Sequence, residues 1–374
     1  MREGIPITNK FPPLKCSSAF LSCAVPLNLD TYRDCQHNCR YCFMRNRVIG
    51  KRNKKLTEPN LQWLQNKFHK IYDKKEYNPE NLIETMLHQK LDLHCGTKSD
   101  PFQPQEKKYK YTQKAITLCN EYDQHIIFTT KSNTYHDVPV NPEQHSFQLS
   151  ITNHYDDQFL EPDVPSFSSR VQFYNKLKDE GYKVGIRFEP FLPNITDVPQ
   201  ILEYFDEPDC VHISKLNLSP QQDNTELINY LGLHKNDLIC RGTYYLKEEI
   251  AYNNYLRQVF DYLEEQGYNY SARNAYIGNQ NCCCGDKLVR KTNTFDPYHL
   301  YHKYGDNWKL EQAIGEMGTL KDCDCRFVFT SNRWYDNKTC EDFYSSRFHR
   351  KTGGLNPEYI SKPRRIKCSL NEYL

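Results

Sequence analysis

Residues 166–191, SFSSRVQFYNKLKDEGYKVGIRFEPF, decide the fold class. Apolar residues recur at helical spacing over 166–182, and Gly181 closes the run, so a helix is expected there. KVGIRFEPF (183–191) follows at once and reads as a strand. The same alternation extends in both directions. Upstream, VPLNLDTYR (25–33), LDLHC (91–95), HIIFTTK (125–131) and SFQLSIT (146–152) read as strands. NPENLIETMLHQK (78–90), with Asn78 as cap and Pro79 at its first position, reads as a helix, and so does EKKYKYTQKAITLCNEY (106–122). Downstream come a helix at 198–205, a strand at 210–218 and a long helix over 247–268 that ends at Gly267. A strand-then-helix order repeated about six times implies an α/β protein with a parallel sheet. No dinucleotide-type glycine fingerprint is present, which favours a full or partial TIM-like (β/α)6 barrel over a doubly wound sheet. The barrel is expected over 25–270. Residues 1–24, with Pro6, Pro12 and Pro13, are expected to be irregular, and residues 271–374 to form a cysteine-rich C-terminal region.

Composition narrows the class further. Of 374 residues, 38% are hydrophobic and 13% aromatic, including 28 Tyr and 19 Phe. That is enough volume for a core, and disordered chains lack such aromatics. No run approaches 18 apolar residues, and MREGIPITNKFPPLKC has no apolar signal region. A cytoplasmic, non-membrane protein is therefore expected. Lys and Arg (49) nearly balance Asp and Glu (47), so overall charge argues neither for nor against nucleic acid.

Sixteen cysteines in a chain without an export signal are metal-ligand candidates before they are disulfides. The isolated Cys119, Cys210 and Cys240 lie in apolar runs and read as core. TYRDCQHNCRYCFMRNR (31–47) is different, because it sets Cys35, Cys39 and Cys42 at C-x3-C-x2-C spacing after the first expected strand. Three thiolates on one short loop can hold three corners of a [4Fe–4S] cube. The fourth iron is then open to an outside ligand, as in a reactive metal centre. Zinc completed by His37 is the competing reading. A second set, Cys282, Cys283 and Cys284 with Cys323, Cys325 and Cys340, suggests a further iron–sulfur cluster or a zinc site.

With GTKSDP (96–101), FTTKSN (128–133), QLSIT (148–152) and GIRFEP (185–190), the cysteine triplet resembles the radical S-adenosylmethionine (SAM) superfamily, and within it the spore photoproduct lyase-like group. The resemblance implies that a reduced cluster cleaves SAM to a 5′-deoxyadenosyl radical that abstracts hydrogen from a substrate. It implies contacts to SAM from Ser99, Lys131, Ser150 and Arg187. It also implies an electron donor such as a flavodoxin or ferredoxin, and a nucleic-acid base as a substrate, in repair by a lyase or in modification. The lyases of that group carry a hydrogen-donating cysteine just before the SD step. Thr97 stands there in this chain, which leaves Cys95 as the candidate donor. Basic runs at 45–55, at Lys107, Lys108 and Lys110, at Arg290 and Lys291, and at 362–367, with Tyr109, Tyr111 and Tyr298 interleaved, suit DNA or RNA. The alternatives are a radical SAM enzyme that modifies peptides through an auxiliary cluster, and a non-catalytic, metal-stabilised nucleic-acid-binding protein.

Overall fold

The computed structural model describes residues 9–16, 25–44, 57–78, 81–220, 222–240, 244–274, 283–285 and 287–290. Its centre is an eight-stranded sheet. In chain order the strands are β1 (Leu14–Cys16), β2 (Leu27–Leu29), β3 (Leu93–Cys95), β4 (Ile126–Thr130), β5 (His145–Ser150), β6 (Lys183–Phe191), β7 (Val211–Lys215) and β8 (Tyr270–Asn274). Strands β2 to β8 run parallel in sequence order, and β1 adds antiparallel to β2 at the edge. The first and last strands are not paired, so the architecture is a partial TIM-like barrel.

The connecting helices are α1 (Leu61–Phe68), α2 (Leu82–His88), α3 (Tyr111–Glu121), α4 (Phe167–Asp179), α5 (Val198–Leu202), α6 (Thr225–Tyr230) and α7 (Arg257–Glu265). Side chains start several of them. Ser166 Oγ accepts from Ser169 N at 3.3 Å, and Asp197 from Gln200 N at 3.1 Å. Such caps contribute about 1 kcal/mol each. Asn81, not Asn78, caps α2 by accepting from Glu84 N at 3.1 Å, so that helix starts later than expected. The expected helix over 106–122 is broken at Lys110, which takes φ 55°. The carboxylate of Glu106 reaches across the break and accepts from Thr112 N at 3.0 Å and Gln113 N at 2.8 Å. A negative group at a helix N-terminus is favourable, and here it replaces a cap. The expected long helix over 247–268 contains a π turn at Tyr252–Leu256 before α7.

Strand alternation divides the sheet into two faces. The outer face, with Leu93, Cys95, Phe128, Phe147, Leu149, Ile186 and Phe188, packs into the main core. The inner face is polar at its centre, with His94, Thr129, Gln148, Arg187 and Glu189. Two regions differ from the sequence reading. The segment expected to be irregular contributes β1 and a short strand, Asn9–Phe11, that pairs with Thr57–Pro59. Beyond residue 270, β8 completes the sheet, and residues 283–285 and 287–290 lie against its inner face. There Cys284 and Leu288 join Val25, Ile127 and Cys210 in a separate buried cluster. Among the described residues, no helix is long and apolar enough to cross a membrane.

Candidate active site

A cavity of about 380 Å³ opens on the inner face, and Cys35, Cys39 and Cys42 all line it. That size lies within the range of small-molecule sites. The cysteine loop follows β2 and is fixed at several points. Arg40 N donates to Leu160 O at 2.9 Å, and Gln36 N to Gln103 Oε1 at 2.9 Å. The Tyr41 hydroxyl donates to Glu161. His37 is 2% exposed, with Nδ1 3.1 Å from Asp163 O, and with Nε2 3.2 Å from both Asp100 Oδ2 and Ser132 Oγ. Both ring nitrogens are thus engaged within the protein, away from the role of a fourth zinc ligand. Burial pushes the Cys35 thiol up to about 12, with the Asp100 carboxylate adding to the effect. Burial likewise holds the Cys39 thiol well above its ordinary value. Without a metal these thiols keep their protons, and metal binding would release them.

Two buried carboxylates organise the rest. Asp100, of the SDP step, accepts from Thr130 Oγ1 at 2.8 Å, Lys131 N at 2.6 Å and Phe102 N at 2.9 Å. It therefore ties the GTKSDP turn to the TKS end of β4. Burial acts to raise its pKa, but the neighbouring His37 and these donors outweigh burial and hold it below the usual carboxylate range. His37 is raised in return: burial opposes its charge, and Asp100 prevails. Glu161 accepts from Tyr41, from Thr152 Oγ1 at 2.9 Å and from Arg170 Nη2 at 3.3 Å. Its pKa falls to about 2 against the opposing effect of burial, because Lys131 and Arg170 stand beside it. Neither carboxylate stands out in the sequence. Asp100 could have been noticed as the second residue of the SDP step.

Lys131 Nζ lies 3.5 Å from Glu161 Oε1, has no hydrogen-bond partner among the described residues, and faces the Tyr41 ring at 5.5 Å. The lysine is half-buried on the cavity wall, with its ammonium shielded. Ser99 and Ser150 also line the cavity, although the Ser99 hydroxyl donates to Tyr32 O at 2.8 Å. Arg187 lines it too, but its guanidinium is occupied. Nη1 donates to Gln148 Oε1 at 2.9 Å and to Cys283 O at 2.8 Å, and Nη2 pairs with Glu189. Gly96 turns the chain out of β3 at φ +110°, where a Cβ would sit 2.1 Å from Thr129 O. Only glycine fits there.

Cys95 is 1% exposed, belongs to the outer-face core and does not line the cavity. Alternation along β3 turns its neighbour His94 inward instead, where burial pushes the imidazole down to about 4. Thr97 Oγ1 donates to Asp30 Oδ1 at 3.1 Å. Two residues from the C-terminal region, Cys283 and Cys284, do line the cavity, and both pack in or against the Val25, Ile127, Cys210 and Leu288 cluster. Sequence periodicity could not have indicated this. Cys119 and Cys210 are buried, as their apolar surroundings implied. Cys282, Cys323, Cys325 and Cys340 lie outside the described residues, as do the basic runs at 45–55 and 362–367, with Lys291 and Tyr298. Of the remaining basic and aromatic candidates, Tyr109 and Tyr111 stack on each other with centroids 5.6 Å apart, and Lys108 lies 5.1 Å from the Tyr109 ring. Lys110 pairs with Asp137 at 3.5 Å, and Arg290 with Asp123 at 3.3 Å.

The donor set suits an iron–sulfur cluster: three cysteines from one loop line one cavity together with Lys131, whose ammonium has no hydrogen-bond partner among the described residues. Among the described residues, no three His, Cys, Asp or Glu side chains converge closely enough to hold a single metal ion. Thiolates on separate cluster corners stand farther apart than the ligands of one ion, which place sulfur about 2.3 Å from the metal.

No protein-family model matches the chain. An uncharacterised protein of Methanocaldococcus jannaschii is 24% identical over 179 residues, covering 46% of this chain and 63% of that protein, so the match spans less than two thirds of the relative. A spore photoproduct lyase variant with AdoMet and dinucleoside spore photoproduct bound is structurally similar at TM-score 0.48 and 16% identity, covering 66% of this chain and 76% of that one. Streptococcus suis SuiB bound to the precursor peptide SuiA is similar at TM-score 0.41 and 14% identity, covering 67% of this chain and 49% of that one. These are likenesses only, and the chemistry assigned to the cavity rests on the cavity's own residues.

Proposed function

We propose that this chain is a radical SAM enzyme that abstracts a hydrogen atom from a substrate held in the inner-face cavity. One observation carries the reading: Cys35, Cys39 and Cys42 share a cavity with Lys131, a half-buried lysine whose shielded ammonium has no hydrogen-bond partner among the described residues. In this reading the three thiolates hold a [4Fe–4S] cluster. When bound, the cluster and SAM supply a 5′-deoxyadenosyl radical by reductive cleavage of the sulfonium. The protein contributes placement and a water-poor enclosure. Lys131 takes the carboxylate of SAM, and Ser99 and Ser150 bound the site beside it. Arg187, already bonded to Glu189 and Gln148, acts as a buttress for the cavity wall. Asp100 and Glu161 hold the cysteine loop and the Lys131 strand end in register.

A nucleic-acid base is the first substrate to test, and a peptide is the second. A base within a duplex must be flipped out to reach such a cavity. Binding to DNA or RNA that weakens steeply with salt supports the first, because phosphate contacts release counterions. A low-potential ferredoxin or flavodoxin is the electron donor. The defining experiment is anaerobic reconstitution with iron and sulfide. The wild type is expected to bind iron and cleave SAM to 5′-deoxyadenosine, and Cys39→Ala to lose both. Wild-type protein that takes up zinc in place of iron, or a Cys39→Ala variant with full iron content, would overturn the assignment.

A further inference from the structure

One corner of the cavity gathers positive charge that the chemistry above does not use. Lys98, in the GTKSDP turn after β3, lines the cavity, and so does Asn28 of β2. β1 runs antiparallel to β2 and sets Lys15 directly opposite Asn28. Residues opposite each other in such a ladder share a face, so Lys15 stands on the cavity side. It is half-buried and forms no hydrogen bond or ion pair among the described residues. Arg33 follows on the loop after β2, exposed, with its guanidinium 4.5 Å from the centroid of the Phe11 ring. The counter-charge is Asp30, which is 5% exposed and already engaged: it accepts from Lys98 Nζ at 2.5 Å and from Thr97 Oγ1 at 3.1 Å. Burial, then the Lys98 charge, push the Lys15 ammonium down; Arg33 adds to the effect, and Asp30 opposes it. Three cations thus share one carboxylate at the cavity rim. Like charges held together destabilise a fold, and an anion bound among them removes that cost.

We propose that this corner binds the terminal phosphate of a nucleotide substrate. The inference rests on the base-directed reading above and narrows it to substrates that carry a phosphomonoester. A phosphomonoester has a charge of about −1.5 to −2 at neutral pH and three acceptor oxygens, which matches the surplus of cations. An internal phosphodiester or a carboxylate brings a single negative charge and two oxygens, and leaves one cation unanswered. Lys15 and Lys98 act as point charges, and Arg33 offers a planar fork that fits two phosphate oxygens. The site is distinct from the one assigned to the SAM carboxylate. Lys131 follows β4, whereas these cations come from β1, the loop after β2 and the turn after β3. Lys98 and Lys131 line the same cavity, so both ligands share the chamber without sharing a cation.

The test is equilibrium binding by calorimetry, on full-length protein reconstituted with iron and sulfide and saturated with SAM. The probes are the four nucleoside 5′-monophosphates, the matching nucleosides, dinucleoside monophosphates whose phosphate is a diester, and a phosphoserine peptide. The monophosphates are expected to bind about tenfold or more tightly than the nucleosides and the diesters. Lys15→Gln is expected to lose about tenfold for the monophosphates, the worth of one charge-assisted hydrogen bond, and to leave the nucleosides unchanged. Arg33→Gln is expected to weaken the monophosphates in the same direction. Lys15 leaves no partner stranded, so Lys15→Gln should melt no lower than the wild type, which separates lost binding from lost folding. Equal affinity for monophosphate and nucleoside, or full monophosphate affinity in both Lys15→Gln and Arg33→Gln, overturns the inference. A phosphoserine peptide that binds more tightly than any nucleotide overturns it in favour of a protein substrate. A tenfold loss of SAM affinity in Lys15→Gln, measured without nucleotide, assigns the cations to SAM and overturns it as well. The radical reading is judged separately, by 5′-deoxyadenosine formation in the wild type, which equilibrium binding does not require.

Discussion

Gly285→Ala tests whether the C-terminal segment is part of the barrel interior. Gly285 has φ +85°, and a Cβ there would meet Cys210 Sγ at 2.2 Å, Cys210 Cβ at 3.0 Å and Leu288 Cγ at 3.3 Å. Two costs fall on the same residue. A left-handed backbone costs a non-glycine residue about 1–2 kcal/mol. Forcing a methyl into a filled core costs about 1–3 kcal/mol. Together they give about 2–5 kcal/mol. Against this, burial of Leu288 contributes about 2 kcal/mol, and the three hydrogen bonds to the Cys283 and Leu288 carbonyls about 1 kcal/mol each. The cost is comparable with these contributions, so the substitution should undock the segment while the parallel strands persist. The assay is iodoacetamide modification of Cys284, which is 1% exposed when docked. A loss of about 2 kcal/mol raises the open fraction, and with it the alkylation rate, about thirtyfold. Gly181→Ala is the control: its φ is +84°, but the nearest atom to a Cβ is Pro142 Cβ at 4.0 Å, so only the backbone cost applies. If Cys284 stays as protected in Gly285→Ala as in Gly181→Ala, the segment is not wedged against Cys210 and the account of the cavity floor fails.

The remaining predictions concern the carboxylates, the lysine and the histidines. Asp100→Asn leaves His37 buried without its counter-charge and should cost about 3–5 kcal/mol, read as a lower melting temperature; a melt within a degree of wild type refutes the pairing. Lys131→Met keeps the stem and removes the charge, so SAM should bind about 10- to 100-fold more weakly by equilibrium dialysis on the reconstituted protein, whereas equal affinity assigns the carboxylate to another group. His94, His145 and His212 are each pushed down to about 4 by burial, so all three rings are neutral in the fold at neutral pH. The unfolded chain takes up their protons first, so stability should be full above about pH 6.5 and decline as pH falls towards 4, by about 3 kcal/mol per histidine. His94 and His212 both face Arg187 and will not add independently. His145→Gln should therefore flatten the decline most cleanly in urea titrations at pH 7, 6 and 5; an identical slope removes His145 from the acid response.

The parallel strands were legible because each is an apolar run followed by a helical one, as in the passage from Ser166 to Phe191. What could not be read was which side of each strand faces inward. A strand buried on both faces carries little alternation, so His94, Gln148 and His212 do not announce themselves as inner-face residues. The triplet was legible because its spacing needs no fold to be recognised. Asp100 and Glu161 were not, because a carboxylate reveals a buried role only through partners far away in the chain: Glu161 meets Tyr41 across 120 residues. The C-terminal boundary shows the same limit more sharply. After residue 270 the periodicity ends, so periodicity alone stops the barrel there. But the chain returns, and its described residues 283–285 and 287–290 form neither helix nor strand and are held by hydrogen bonds to Gln148, Arg187 and Asp92. Two glycines make room for that return. A Cβ on Gly185 of β6 would meet Cys210 Sγ at 2.4 Å, and one on Gly285 would meet the same sulfur at 2.2 Å. In sequence, one glycine looks like a weak spot in a strand and the other like a turn. Only the fold shows that both keep clear of one buried thiol, and that the cysteine-rich region begins inside the barrel rather than after it.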